Sequence, residues 1–156
     1  MRELATELGV SRATLHRWLG SRDHLLGEIL WSETSLVFDN VSFTGRGAAG
    51  VADAIGAFVS LVNGSVAFRT FLQREPERAL RLLTTKASVV QSRTIAQLTD
   101  LLTTEITAGR LASPLPAPDL AYVLVRLGES FIYTDIITGE EPDAAKAHIA
   151  ISLLLT

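Results

Sequence analysis

The histidines of this 156-residue sequence, His16, His24 and His148, are scattered, and no Ser/His/Asp order or metal-ligand spacing accompanies them. Cysteine is absent. That removes thiolate zinc sites, cysteine nucleophiles and disulfides together, and it suits a reducing cytosol. Gly45-Arg46-Gly47 lacks the Gly-Lys-Ser/Thr ending that a phosphate loop needs. The expectation is a protein that is not an enzyme, with no catalytic residues, no metal and no cofactor. One constellation stands out. Arg126, Glu129 and Tyr133 fall at i, i+3 and i+7, on one face of an otherwise apolar helix. Buried charges require partners. Either Arg126 and Glu129 pair internally or across a subunit seam, or this face borders a ligand pocket and supplies its polar contacts.

Charge separates the two ends of the chain. Residues 1–22 carry Arg2, Arg12, Arg17 and Arg22 against Glu3 and Glu7, a net of +2 within a total of −3, which leaves −5 on the remainder. A basic tip on an acidic body suits a protein that touches DNA with one end, and the overall sign argues against one that coats nucleic acid indiscriminately. With 47% hydrophobic and 20% charged residues, the chain is too apolar to be disordered. Met1 leads directly into Arg2 and Glu3, so no secretory signal is expected. No run approaches the roughly 18 apolar residues of a membrane span. A soluble, cytoplasmic protein without a membrane partner is expected.

Helical periodicity runs through nearly the whole chain, and no segment alternates with period two. Helices are predicted over residues 2–8, 11–19, 23–38, 51–62, 66–73, a short turn after Pro76, 87–108, 119–138 and 142–155. That makes an all-α protein of about nine helices. Asn40 to Gly50, rich in Gly, Ser and Thr, reads as a flexible connection. The first two helices have the spacing of a helix-turn-helix. Small Ala5 lets them approach, Gly9 supplies the turn, Ser11 caps the second, and Val10, Leu15 and Trp18 fill the wedge. A helix-turn-helix domain over 1–30 and a helical body over 31–156 follow.

The run Gly9-Val10-Ser11, then Thr14-Leu15-His16, then Leu19-Gly20-Ser21-Arg22-Asp23 and the pair Leu25-Leu26 resembles the DNA-binding domain of TetR-type transcriptional regulators. The resemblance implies a recognition helix beginning at Ser11, with Arg12, Ala13, Thr14 and Arg17 reaching base edges of double-stranded operator DNA. His16 stands where the family usually has a phosphate-binding tyrosine, Arg22 where it has a lysine, and Leu19 where it has a phenylalanine. The family's first helix, which covers the helix-turn-helix, has no counterpart after Met1. Leu4, Leu8 and Leu15 are therefore expected to be partly exposed.

For the body the resemblance implies a homodimer joined through the last two helices, with recognition helices roughly 34–36 Å apart. It also implies a ligand pocket between residues 51 and 138. Phe58, Phe68, Phe71, Gln97, Tyr122 and Tyr133 are candidate lining residues, with plain core as the alternative for each. Arg126 and Glu129 join them if their face borders the pocket. The helix 119–138 is apolar on almost every side and is expected to be buried all round. Val125-Arg126-Leu127-Gly128-Glu129-Ser130, followed by Tyr133 and Asp135, is similar to actinobacterial regulators of quorum-signal degradation, which implies a small apolar ligand such as a lactone. The sequence thus supports a ligand-responsive repressor released from DNA by a small molecule. The alternative is a helical ligand-binding or interaction dimer that does not bind DNA.

Overall fold

The computed structural model describes residues 1–41 and 45–156. Among them are ten α-helices and no strand: α1 Arg2–Glu7, α2 Arg12–Leu19, α3 Arg22–Asn40, α4 Gly47–Gly64, α5 Val66–Arg74, α6 Pro76–Thr84, α7 Val90–Thr107, α8 Ala117–Ile132, α9 Thr134–Ile137 and α10 Ala144–Leu154. The tenth helix arises where the predicted 119–138 helix breaks at Tyr133. Ile136 N–H turns to the Tyr133 carbonyl, and Arg69 of α5 donates to the freed Ile132 carbonyl at 2.7 Å and to Asp135 at 3.2 Å. Backbone groups released by a break need such partners.

The N-terminal pair forms the predicted turn. Gly9 adopts φ +64°, and Ser11 accepts from Thr14 N–H at 3.0 Å to cap α2. Ser21 caps α3 by accepting from His24 N–H at 3.1 Å, so the helix begins at Arg22, one residue before its predicted start. Leu15 is completely buried, against expectation, because α2 packs on both α1 and α3. Trp18, expected in the wedge, is 61% exposed, and Leu8 is 56% exposed. Ala5 and Leu15 are thus the fully buried residues of the helix-turn-helix, with Leu4, Val10 and Leu19 partly buried around them. The expected division near residue 30 falls inside α3, which runs unbroken from the turn into the body.

The body packs around α4, which lies against α8 and α10 on one side and α3, α5 and α7 on others. It begins at Gly47, inside the segment read as flexible; Ser42, Phe43 and Thr44 of that segment lie outside the described residues. Its length and a mean hydropathy of 1.3 match a membrane span, but Val51, Ala52, Ile55, Val59 and Val62 sit inside the protein core. Glu105, near the end of α7, anchors its start. The carboxylate is 2% exposed and accepts from Gly47 N–H at 2.7 Å and from Arg110 Nε and Nη2 at 2.9 and 2.7 Å. The Arg110 bonds, then the Gly47 N–H, hold its pKa down at about 2 from an ordinary 4.5. Its contribution to stability is present above pH 4.5 and is lost as pH falls toward 2. Glu105→Gln should lower the thermal midpoint at neutral pH by about 5 °C. In scanning calorimetry the gap to the unsubstituted protein should narrow as the pH is taken below the ordinary carboxylate range.

Candidate functional site

The N-terminal end presents a basic surface. Arg12, Ala13, His16 and Arg17 of α2 are exposed, as is Ser11 before them. Thr14 is half-buried, with its hydroxyl against the Ser11 Oγ at 2.9 Å, so Ser11 and Thr14 both serve the cap. Arg22 is already engaged: its guanidinium meets Glu75, the residue before α6, at 3.3 Å. Arg78 of α6 pairs with that same Glu75 and with Asp23 at 3.4 Å, and Arg81 pairs with Asp23. The Arg81 hydrogen bond holds the Asp23 carboxyl below its usual range. A five-residue ion network thus ties the first turn of α3 to α6, from Glu75 just before that helix to Arg81 in its last turn. Sequence reading missed it, since its partners lie more than fifty residues apart and nothing local marks them.

A cavity of about 420 Å³, partly open to solvent, lies between α3, α4, α7 and α8, within the usual range for small-molecule sites. Five of the candidate residues line it: Phe58, Phe68, Gln97, Glu129 and Tyr133. Three do not. Phe71 packs against the core outside the cavity. Tyr122 is 54% exposed on the outer face of α8. Arg126 lies on that outer face too, reaching round to Glu129 at 2.6 Å and to the Thr84 carbonyl at 3.5 Å. Thr34, Phe38 and Asp39 of α3 and Gln91, Thr94 and Asp100 of α7 also line the cavity. Stepping back by three and four from Leu98 along α7 leads to Thr94 and Gln91, so periodicity could have found those two.

The outer stripe of α8 corrects the expectation of burial all round. Tyr122 and Val123 are exposed on α8, and Ile149, Leu153 and Leu154 are exposed on α10, with Leu153 at 74%. Val123 and Leu154 border one small groove, so the two stripes adjoin.

In the cavity wall, Glu129 accepts from Arg126 on one oxygen. On the other it accepts from the Gln91 amide at 2.7 Å, and that amide also donates to the Leu83 carbonyl at 2.8 Å. Burial pushes the Glu129 carboxyl up to about 7 from 4.5 against the opposing pull of Arg126. Burial likewise raises the Tyr133 hydroxyl well above its usual value, with the Glu129 charge adding to it, so Tyr133 is a neutral donor. Because the folded protein holds the Glu129 proton more tightly, stability falls as pH rises between these two values and is level above 7. The slope is at most about 1.4 kcal/mol per pH unit. Glu129→Gln should remove this decline, seen as thermal midpoints that change less between mildly acidic and mildly alkaline buffer than those of the unsubstituted protein.

Residues 46–156 match the family model for the tetracyclin repressor-like C-terminal domain. The whole fold is similar to the solved structure of the R. erythropolis transcriptional repressor QsdR from the TetR family. That likeness has a TM-score of 0.87 at 30% identity, covering 97% of this chain and 81% of that one. No curated protein sequence matches the chain. With the family model spanning most of the sequence and the structural likeness reaching through the helix-turn-helix, the chain belongs to the TetR family of transcriptional regulators.

Proposed function

We propose that this protein is a ligand-responsive transcriptional repressor that binds operator DNA as a homodimer and is released by a small, largely apolar molecule held in the cavity. The observation that carries this reading is the placement of α6. Ion pairs from Glu75 just before it and from Arg78 and Arg81 within it tie it to the first turn of α3, just behind the helix-turn-helix. Its C-terminal end supplies Leu83 to the cavity wall and the Leu83 carbonyl to the Gln91–Glu129 network. A molecule that displaces this wall displaces α6, and α6 displaces α3. Ligand and DNA then need only favour different arrangements of the same protein.

In this reading Arg12 and Arg17 read base edges, Ala13 and Thr14 offer methyl contacts, and Ser11, His16 and Arg22 approach phosphates. The exposed apolar stripes of α8 and α10 meet their twins in the dimer, covering Tyr122, Val123, Ile149 and Leu153. The partial cover of the helix-turn-helix, where Leu8 and Trp18 lie open, favours the second reading, a ligand-binding dimer that does not engage DNA.

Fluorescence anisotropy against duplex from the protein's own promoter region separates the two. Salt-sensitive, sequence-selective binding supports the repressor, and its absence supports the second reading. Arg12→Ala and Arg17→Ala should relax base preference. Arg22→Ala should weaken all sequences alike and make the salt dependence shallower by about one unit. Glu75→Gln should free Arg22 and strengthen binding about two- to threefold, an exposed pair being worth little more. It should have no effect when Arg22 is already alanine. Equal, sequence-blind losses from all three arginine variants would count against the proposed groove geometry.

A further inference from the structure

Tyr133 is fixed in both backbone and ring. It stands at the break between α8 and α9, and Arg69 holds that break on either side of it, at the Ile132 carbonyl and at Asp135. Its ring stacks on Phe68, the residue before Arg69, with centroids 6.4 Å apart. Phe68 and Tyr133 line the cavity together.

The hydroxyl at the tip of that ring has no structural use. Tyr133 is only 5% exposed, yet among the described residues its hydroxyl meets no hydrogen-bond partner. Nor is it sealed into the packing, as the unpartnered Asn63 Nδ2 and Gln97 Oε1 are. It keeps an open side, and the open space that Tyr133 lines is the cavity. Burial raises its pKa well above 10, so it retains its proton. Glu129, one turn back on α8, is engaged by Arg126 and Gln91 instead. A buried donor left unmatched is costly, and a protonated phenol offers its hydrogen to an acceptor.

We infer that the Tyr133 hydroxyl is the donor that orients the ligand, and that it takes the carbonyl oxygen of a ketone or ester whose apolar remainder lies along Phe58, Val59 and Val125. Among the charges acting on that hydroxyl the Glu129 carboxylate is the strongest, so a carboxylate is the poorer occupant. This rests on the proposed reading of the cavity as the ligand site, and it adds the residue that recognises the ligand and the chemical class recognised.

The test uses three probes with one hexyl tail: octan-2-one, heptanoate and 2-methyloct-1-ene, in which a methylene replaces the ketone oxygen. Each is titrated by calorimetry into the full chain and into Tyr133→Phe, which keeps the ring on Phe68. Mildly alkaline buffer keeps Glu129 charged, its pKa being about 7. Tyr133→Phe should weaken octan-2-one about tenfold, leave the alkene unchanged, and leave the thermal midpoint of the ligand-free protein where it was. Heptanoate should bind the unsubstituted protein at least about tenfold more weakly than the ketone. Ketone binding that is indifferent to Tyr133→Phe, or that falls together with alkene binding, would overturn the role of the hydroxyl and leave the cavity reading standing. A midpoint several degrees lower in ligand-free Tyr133→Phe would do the same, by giving the hydroxyl an internal partner. Heptanoate binding as tightly as the ketone would overturn the ketone and ester class. Binding of none of the three would overturn the cavity reading itself, and this inference with it.

Discussion

Helix α4 can be approached far more closely than an ordinary helix, and the body is built on that approach. Its buried positions include Gly50, Ala52, Ala54 and Gly56. A Cβ placed on Gly56 would stand 3.1 Å from the Cβ of His148, so α10 rests on nearly bare backbone there. From α8, Gly128 leaves room for the Ile55 and Val59 side chains, at 3.6 and 3.7 Å from where its own Cβ would be. Glycine inside a helix costs about 1 kcal/mol each. Burying Val51, Ile55, Val59 and Val62 returns roughly 1.5–3 kcal/mol apiece, so packing outweighs propensity. Glu105 then supplies the one charged contact that fixes where α4 begins, by holding the Gly47 N–H.

The same economy of side chains on α4 opens the cavity. Its α10 side is filled by contact at Ala52 and Gly56. Its other side carries Ala54, Ile55, Phe58 and Val59 around open space. Protein interiors are normally packed to crystal density with few voids larger than a water molecule, and this partly open space of about 420 Å³ has the size of a small-molecule site. Its lining agrees with that. A packing fault in an apolar core would not gather Glu129, Gln91, Gln97 and Tyr133 around itself, since each buried polar group carries a desolvation cost unless it has a partner or a use.

The all-helical fold and the helix-turn-helix were legible in sequence because their signals are local. Gly9 and Ser11 act within four residues of where they stand, and the apolar periodicity of α7 and α8 needs no knowledge of neighbours. The family wording from Gly9 to Leu26 sharpened the function in the same local way. What stayed hidden depends on contacts across the chain. Hydrophobicity alone could not say which side of α8 faces inward, since Tyr122 and Tyr133 are equally plausible lining residues by type, and only the packing of α4 and α7 against α8 separates them. The break at Tyr133 depends on Arg69, sixty-three residues from the Ile132 carbonyl it holds. Leu15 escaped its expected exposure because α3 covers it, a contact that periodicity within α2 does not report.

Coupling between cavity and DNA-binding end has a magnitude to meet. Useful allosteric effects are about 1–3 kcal/mol, whereas an exposed ion pair such as Arg22–Glu75 contributes about 0–1 kcal/mol. The network at α6 therefore cannot carry the signal by making and breaking charge contacts alone. The stiffer link is α3 itself. A Cβ on Gly27 would lie 2.8 Å from the Cβ of Ser88, so α3 meets the α6–α7 junction with no slack. At the next residue, Glu28 makes a bidentate pair with Arg93 of α7 at 2.9 and 3.3 Å, and that guanidinium lies over the Trp31 ring. Farther along, Thr34, Phe38 and Asp39 reach the cavity wall. In the proposed repressor, a helix clamped at Gly27 and lining the cavity beyond it would act as a lever with its fulcrum at Ser88. A displacement at Phe38 would then appear with opposite sign at Arg22 and the helix-turn-helix. In that arrangement the ion pairs set where the lever rests, and the close packing at Gly27 makes it move as one piece.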